Sequence, residues 1–251
     1  MANNYSLVAE YYDVFVRSAI DIPFFLEQCR KVDGKVLELM AGTGRASLPL
    51  LEAGVKLTCV DSSAEMVSLL KRKLISQGRN ATVYRMDVRE LNLGELFDLV
   101  IVPFHSFAEL VTEADRSAAL EGIYRHLNQG GAFICTMHNP EVRLNTVDGA
   151  MRMVGKYEVH EEGHSLIVWL SEQFRGSSGV IDAVEILEEY DAENIMCTRR
   201  YMPMEYTFMS DEEAGREFRE AGFAVQTLYG NYDCAPFVKE TSPFMIWALK
   251  K

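Results

Sequence analysis

Positive charge is what this chain is short of: 25 Lys and Arg stand against 37 Asp and Glu, a formal charge of −12. Nucleic-acid binding draws much of its affinity from basic side chains that neutralise phosphates, so a polynucleotide partner is not expected. The Arg199-Arg200 doublet is too small to act as a basic patch. Cysteine is also sparse. Cys29, Cys59, Cys135, Cys197 and Cys234 are scattered and form no C-x-x-C pair, which argues against a disulfide framework or thiolate metal site and leaves reduced, buried thiols. No uncharged apolar stretch reaches the roughly 20 residues of a membrane-spanning helix. The opening Met-Ala-Asn-Asn-Tyr-Ser lacks the basic and apolar regions of a signal peptide. The expectations are no membrane partner and residence in the cytoplasm.

What is present is enough apolar material, 48% of 251 residues, to fill a sizeable core, and the length suits one α/β domain with an insertion. Tyr5 to Arg17 and Pro23 to Lys31 read as helices. Strands near Val36, Leu57, Val83, Leu99 and Phe133 then alternate with helices near Leu48, Met66 and Leu120, which implies right-handed crossovers and a parallel sheet. Asn128-Gln-Gly-Gly131 reads as the glycine-rich end of the last of those helices. From Met151 to Tyr206 the pattern changes to β-rich runs at 151–160, 164–174, 180–190 and 195–206. The segments Glu161-Glu-Gly163, Arg175 to Gly179 and Asp191 to Asn194 between them are hairpin signals, so an antiparallel sheet is inserted after the fifth core strand. A helix at Asp211 to Ala221 and strands at Val225 to Tyr229 and Met245 to Lys250 close the chain. The resulting division is a core of residues 1–150 and 207–251 with an N-terminal helical lid, and a 151–206 subdomain for substrate binding or oligomerisation.

The chemistry concentrates in Lys35-Val-Leu-Glu-Leu-Met-Ala-Gly-Thr-Gly44, followed by Leu57-Thr-Cys-Val-Asp61. An apolar strand enters a glycine-bearing turn that opens a helix, and a second strand ends in a carboxylate about 20 residues on. Glycine admits a ligand close to the backbone, and the carboxylate can accept both hydroxyls of a ribose. Nicotinamide, flavin and sulfonium cofactors all use such a unit. A dinucleotide site wants a third glycine in G-x-G-x-x-G, and Gly42-Thr-Gly44 is followed instead by Arg45, Ala46 and Ser47. Glu38 would repel a pyrophosphate and attract a cationic tail, which favours a ligand carrying an ammonium and a sulfonium. Asp87 ends a third strand, and Phe97 to His105 supplies a fourth that runs into an irregular turn.

With these motifs in order, the chain resembles the class I S-adenosylmethionine-dependent methyltransferases, of the bacterial small-molecule type, over nearly its whole length. Glu38, Gly42 and Gly44 match the first motif, Asp61 the ribose-binding acid, Asp87 the adenine-contacting acid, and Phe97 to His105 the fourth motif. Met40 departs from the pattern, standing where the first glycine would be. The resemblance implies a Rossmann-like, mostly parallel seven-stranded sheet of order 3-2-1-4-5-7-6 with the seventh strand antiparallel. The implied cofactor is S-adenosyl-L-methionine and the implied reaction is methyl transfer to nitrogen or oxygen of a small metabolite. A nucleic-acid amino methyltransferase and a non-catalytic cofactor-binding module are the alternatives.

Ligands of such sheets sit beyond the carboxyl ends of the strands. Glu38 and the turn Ala41, Gly42, Thr43, Gly44 are expected at the methionyl part, and Asp61 with Ser62 at the ribose. Asp87 and Val88 take the adenine edge, Met66 either packs on the adenine face or belongs to the helix core, and Pro103 and Phe104 border the cofactor. His105 is the candidate general base, with a loop histidine bonded to backbone as the alternative. Ser106, His138 and Asn139 are candidates for the acceptor. Tyr11 and Tyr12 resemble a tyrosine-bearing lid, Tyr12 over the cofactor and Tyr11 towards substrate, against an amphipathic helix that simply packs. Tyr201 and Tyr232 frame the acceptor pocket or serve the structure. His126 is accounted for by a helix C-terminus, and His160 and His164 have no Cys partners to support a metal. A homodimer through the inserted sheet is the partner expectation.

Overall fold

The computed structural model describes residues 3–159, 163–176 and 179–251. His160 and parts of the first two hairpin turns, Glu161-Glu162 and Ser177-Ser178, lie outside the described residues. The core sheet contains β1 (Lys35–Leu39), β2 (Lys56–Asp61), β3 (Thr82–Arg85), β4 (Phe97–Val102), β5 (Leu127–His138), β10 (Ala224–Tyr229) and β11 (Phe244–Lys250). Their order is β10-β11-β5-β4-β1-β2-β3, parallel except that β11 runs antiparallel to both its neighbours. This is the 3-2-1-4-5-7-6 arrangement, with β11 as the seventh core strand. The remaining four strands, β6 (Arg152–Glu158), β7 (Ser165–Phe174), β8 (Val180–Tyr190) and β9 (Met196–Thr207), form a separate antiparallel sheet in sequential order.

Strands β1 and β4 are buried along almost their whole length because helices cover both faces, as parallel sheets require. On one face Phe25 and Cys29 of α2 (Ile22–Arg30), Leu50 of α3 (Ser47–Glu52) and Leu70 of α4 (Ala64–Ser76) pack against Val36, Leu57 and Leu99. On the other, Leu120 and Ile123 of α5 (Glu113–His126) and Phe218 of α7 (Asp211–Glu220) pack against Leu37, Val100 and Phe133. The second sheet lays Leu166, Val168, Leu187 and Met202 on the N-terminal residues Val8 and Val14, so it closes over α1 (Ala9–Phe15).

Three local readings are corrected. Tyr5 to Arg17 is not one helix: a 3-10 turn at Tyr5–Leu7 precedes α1, which ends at Phe15. Asn128 to Gly131 does not end α5, which stops at His126; it is a bulge inside β5, where Phe97 pairs with Leu127 but Leu99 pairs with Ala132. His126 is held by backbone at both ring nitrogens, Nε2 accepting the Leu93 N–H at 2.9 Å and Nδ1 lying 2.7 Å from the Gly122 carbonyl, so the tautomer with Nδ1 protonated fits. These bonds, not a charge at the helix end, account for it.

Two ionic clamps position the rim of the carboxyl ends. Asp13 of α1 accepts the Thr43 hydroxyl at 2.6 Å and pairs with Lys73 at 2.5 Å, tying the N-terminal helix to the glycine turn. Arg116 of α5 donates twice to Glu217 of α7, each at 2.7 Å, and also to the Leu110 and Val111 carbonyls. Both side chains of that pair are almost fully buried. Removing one partner of a buried pair strands the other, at a cost of about 3–5 kcal/mol, whereas an apolar replacement of both is close to neutral. Urea unfolding should therefore show Glu217→Ala destabilised by that amount, with Arg116→Met plus Glu217→Leu recovering most of it.

Candidate active site

The carboxyl ends of β1, β2 and β4, with the segment after β3, open onto two adjoining cavities. The larger encloses about 1050 Å³ with its mouth and is walled by Asp61, Ser62, Met66, Asp87, Val88, Glu109 and Asp115 among others. The smaller, about 320 Å³, is walled by Glu38, Ala41, Gly42, Thr43, Arg45, Pro103 and Phe104. Tyr12, Met40, Gly42 and Ser106 border both, so the two form one bent cleft.

The turn after β1 is built on left-handed backbone, with φ of 56° at Met40, 56° at Gly42 and 90° at Gly44. Glycine takes that conformation freely, and Met40 takes it against an intrinsic cost of about 1–2 kcal/mol. A Cβ at Gly44 would stand 2.4 Å from Leu70 Cδ1, which ties this glycine to helix packing and places it outside both cavity walls. Asp61 fixes the turn: its Oδ2 accepts the Gly42 N–H at 2.7 Å and its Oδ1 the Ser63 N–H at 2.9 Å.

Electrostatically the cleft is under-compensated. Glu38 is 1% exposed and accepts the Ser47 hydroxyl at 2.6 Å, and no cation lies within ion-pair distance of it among the described residues. Burial pushes its carboxyl up to about 7. Burial also raises Asp61, against the two backbone N–H groups that favour its anion. Asp87 behaves oppositely: the Arg89 guanidinium, bonded at 2.6 and 2.9 Å, holds it below the usual range. Arg45, whose place on the small cavity's wall the sequence does not announce, is committed to Asp21 by two bonds of 2.6 Å and lies over the Phe104 ring at 4.2 Å.

Of the sequence candidates, Tyr12, Glu38, Ala41, Gly42, Thr43, Asp61, Ser62, Met66, Asp87, Val88, Pro103, Phe104 and Ser106 all line this cleft. His105 does not. Its backbone is left-handed at φ 64°, and its ring lies between His138, 3.8 Å away centre to centre, and Phe244 at 5.0 Å. Burial drives both imidazoles towards the neutral form, His138 down to about 4. Neither His105 nor His138 is among the residues that line the two cavities, and the His105 Nδ1 is buried without a hydrogen-bond partner among the described residues.

Asn139 is consumed by structure. Its amide donates to the Lys239 and Ser242 carbonyls, each at 2.7 Å, and its oxygen caps the short helix Pro140–Arg143. The Tyr11 hydroxyl donates to Glu189 at 2.6 Å, Tyr232 packs on Phe24 and Phe244, and Tyr201 stands 58% exposed on the second sheet. None of these borders the cleft. Cleft residues that sequence reasoning missed are Asn3, Tyr5, Arg89, Glu109, Asp115 and Glu205. The turn holding Glu109 has no motif to flag it, and Asn3 and Tyr5 carried only the general lid signal.

Residues 36–131, which hold β1 to β4 and the acids of the cleft, match the family model described as a methyltransferase domain. Over those residues the chain is similar to methyltransferase domains, and its fold is that of the class I methyltransferases. An S-adenosylmethionine-dependent methyltransferase from Clostridium acetobutylicum superposes with a TM-score of 0.79 at 20% identity, covering 98% of both chains. The CcbJ methyltransferase from Streptomyces caelestis superposes at 0.81 and 17% identity, covering 97% of this chain and 96% of that one. In sequence, a cypemycin N-terminal methyltransferase from a Streptomyces species is 34% identical over 112 residues, 44% of this chain and 45% of the relative. A glycine/sarcosine N-methyltransferase from Halorhodospira halochloris is 31% identical over 144 residues, 52% and 54% of the two. The chain thus spans about half the length of the curated relatives it matches. The matched residues 36–131 hold Glu38, Asp61, Asp87, Glu109 and Asp115, and the second sheet lies outside them.

The raised acids have a consequence for stability. Glu38, Glu109 and Glu185 are pushed up to about 7 by burial, from an ordinary 4.5. Between those values the folded chain holds protons that the unfolded chain has released, so stability falls as pH rises. His105 and His138, held neutral by burial, act in the opposite sense below their ordinary 6.5. The Glu38 contribution is therefore read as a difference: relative to Glu38→Gln, the ligand-free protein should lose thermal stability from about pH 4.5 to about 7 and then level off. Melting-temperature scans of both proteins across that range check it.

Proposed function

We propose that this protein transfers a methyl group from S-adenosyl-L-methionine to nitrogen or oxygen of a small molecule. The observation that carries this reading is Glu38, a buried carboxylate with no cation against it, on the wall of the cavity made by the glycine turn. An ammonium compensates such a group, whereas a pyrophosphate would be repelled by it. Each carboxylate oxygen has two lone-pair sites, so Asp61 can still accept ribose hydroxyls while it holds Gly42 and Ser63. We read Asp87 and Val88, on the wall of the larger cavity, as contacts for the adenine edge, with Met66, buried on α4, behind its face. The bound sulfonium would supply an electrophilic methyl. The protein's task is then to align the acceptor and exclude water, for which Tyr12 and Ser106, bordering both cavities, are placed.

The relatives named above methylate a peptide N-terminus and glycine or sarcosine, by their names, which supports a small acceptor. The net charge of −12 weighs against a polynucleotide. We further read residues 151–206 as a subdomain for substrate or self-association. Register aligns Met153, Trp169, Ile186 and Tyr201 across its four strands on the face opposite Leu166 and Val168. Met153 and Tyr201 are more than half exposed, which supports a homodimer formed there. Among the described residues no helix is long and apolar enough to cross a membrane. The free cysteines, three of them buried, support work in a reducing cytoplasm.

Calorimetry tests the donor assignment. S-adenosylhomocysteine should bind and NADH should not; the reverse result would overturn it. Hydrogen bonds to a charged group are worth about 1.5–3 kcal/mol, so Asp61→Ala should weaken that binding about tenfold or more. It should also destabilise the ligand-free protein by about 1–3 kcal/mol, because the Gly42 and Ser63 N–H groups lose their acceptor.

A further inference from the structure

With Glu38, Asp61 and Asp87 assigned to the donor, Glu109 is left over. Asp115 pairs with Arg89 and Glu205 with Arg175, but no Lys, Arg or His lies within ion-pair distance of Glu109 among the described residues. Its contacts are neutral: the Tyr5 hydroxyl donates to Oε1 at 2.8 Å and the Asn3 amide to Oε2 at 3.1 Å. Both come from the N-terminal segment, which therefore holds this carboxylate in place against the cleft. Glu109 ends the single 3-10 turn Ser106–Glu109, and three residues per turn put those two side chains on one face. Ser106 borders both cavities, so Glu109 stands on the same side as the junction between them.

Resting on the methyl-donor reading, we propose that the acceptor is an amine entering as its ammonium ion, and that Glu109 binds this ammonium and takes its proton. An N–H bond breaks with its electron pair left on nitrogen, where attack requires it. The proton forms an O–H bond on Glu109 and passes to water before the next cycle. No oxidant or further reactant is needed. An acceptor whose only charge is a carboxylate would meet Asp61, Glu109, Asp115 and Glu205 on the same wall, and an alcohol would leave Glu109 uncompensated.

The surroundings suit a proton acceptor working near neutrality. Burial pushes Glu109 up to about 7 and the Asp61 charge adds to this, while the bonds from Tyr5 and Asn3 oppose it. Tyr12 faces the same group from α1, Glu185 faces Tyr5 and Tyr12 from β8, and Arg89 of the cleft wall is already neutralised by Asp87 and Asp115.

The test begins with S-adenosylhomocysteine calorimetry on the whole protein, then incubates it with labelled S-adenosylmethionine and the small-molecule fraction of a cell extract, and identifies the labelled product by mass. Label on nitrogen is expected. With that acceptor and saturating donor, Glu109→Gln should lower kcat/KM about 10²-fold at pH 7, Glu109→Asp should recover part of it, and S-adenosylhomocysteine affinity should stay within twofold. Binding of the amine to the S-adenosylhomocysteine complex should weaken about tenfold in Glu109→Gln. The wild-type kcat/KM should fall as pH drops through the Glu109 titration; that limb should vanish in Glu109→Gln and move to higher pH in Tyr5→Phe. Label on oxygen, sulfur or carbon would overturn the inference and leave the transferase reading standing, as would nitrogen labelling with an unchanged Glu109→Gln pH profile. Failure to bind S-adenosylhomocysteine, or binding with no labelled product, would overturn the transferase reading and the inference with it.

Discussion

Desolvated carboxylate without a matching cation is the constraint around which this cleft is organised. Glu38, Asp61 and Glu109 are all raised by burial, and each is held by neutral donors: a serine hydroxyl, two backbone amides, and a tyrosine with an asparagine. Such donors orient a carboxylate without cancelling its charge. The arginines nearest the cleft are spent elsewhere, Arg45 on Asp21 and Arg89 on Asp87 and Asp115. The protein thereby keeps carboxyls in a low-dielectric space whose ionisation is disfavoured when the cleft is empty and favoured when a cation enters.

Asp61 links this electrostatics to the backbone. At the end of β2, beside β1, it reaches the Gly42 amide of the turn after β1, so the glycine turn is shaped by the residue that faces the ligand. The turn is further tied to the N-terminal helix through Asp13, Thr43 and Lys73, and that segment carries Tyr5 and Asn3 to Glu109. Glycine turn, N-terminal segment and the turn that bears Glu109 are thus joined by short polar contacts. The methyltransferase fold supplies the crevice, and these contacts give it its particular chemistry.

What could be read from the sequence follows from periodicity. Glu38 and Asp61 sit in or at the ends of strands with plain apolar runs, Asp87 follows the short mixed strand Thr82–Arg85, and strand ends converge by topology, so their meeting in one cleft was foreseeable. Glu109 lies in a one-turn 3-10 helix with no period to place it. His105 drew attention as the histidine at the end of the fourth strand, and two left-handed residues in succession, Phe104 and His105, stack its ring on His138 and Phe244. Asn139 precedes Pro140, a helix-start signal that explains its capping role and that proximity to the site obscured. Asn128 to Gly131 carried turn chemistry correctly, but β4 pairs on both sides of it and makes it a bulge.

The central claim is that the cleft awaits a cation and holds protons until one arrives. The direct measurement is the number of protons released when S-adenosylmethionine binds, from calorimetry in buffers of different ionisation enthalpy between pH 6 and pH 8.5. With Glu38 titrating near 7 when empty and ionised against an ammonium when filled, release should be clear at pH 6, smaller at pH 7 and replaced by uptake at pH 8.5, where the free donor's α-amino group, ordinarily about 8, gains a proton on binding. Glu38→Gln should abolish most of the release. Binding without proton release throughout that range, in a folded wild-type protein, would contradict the account.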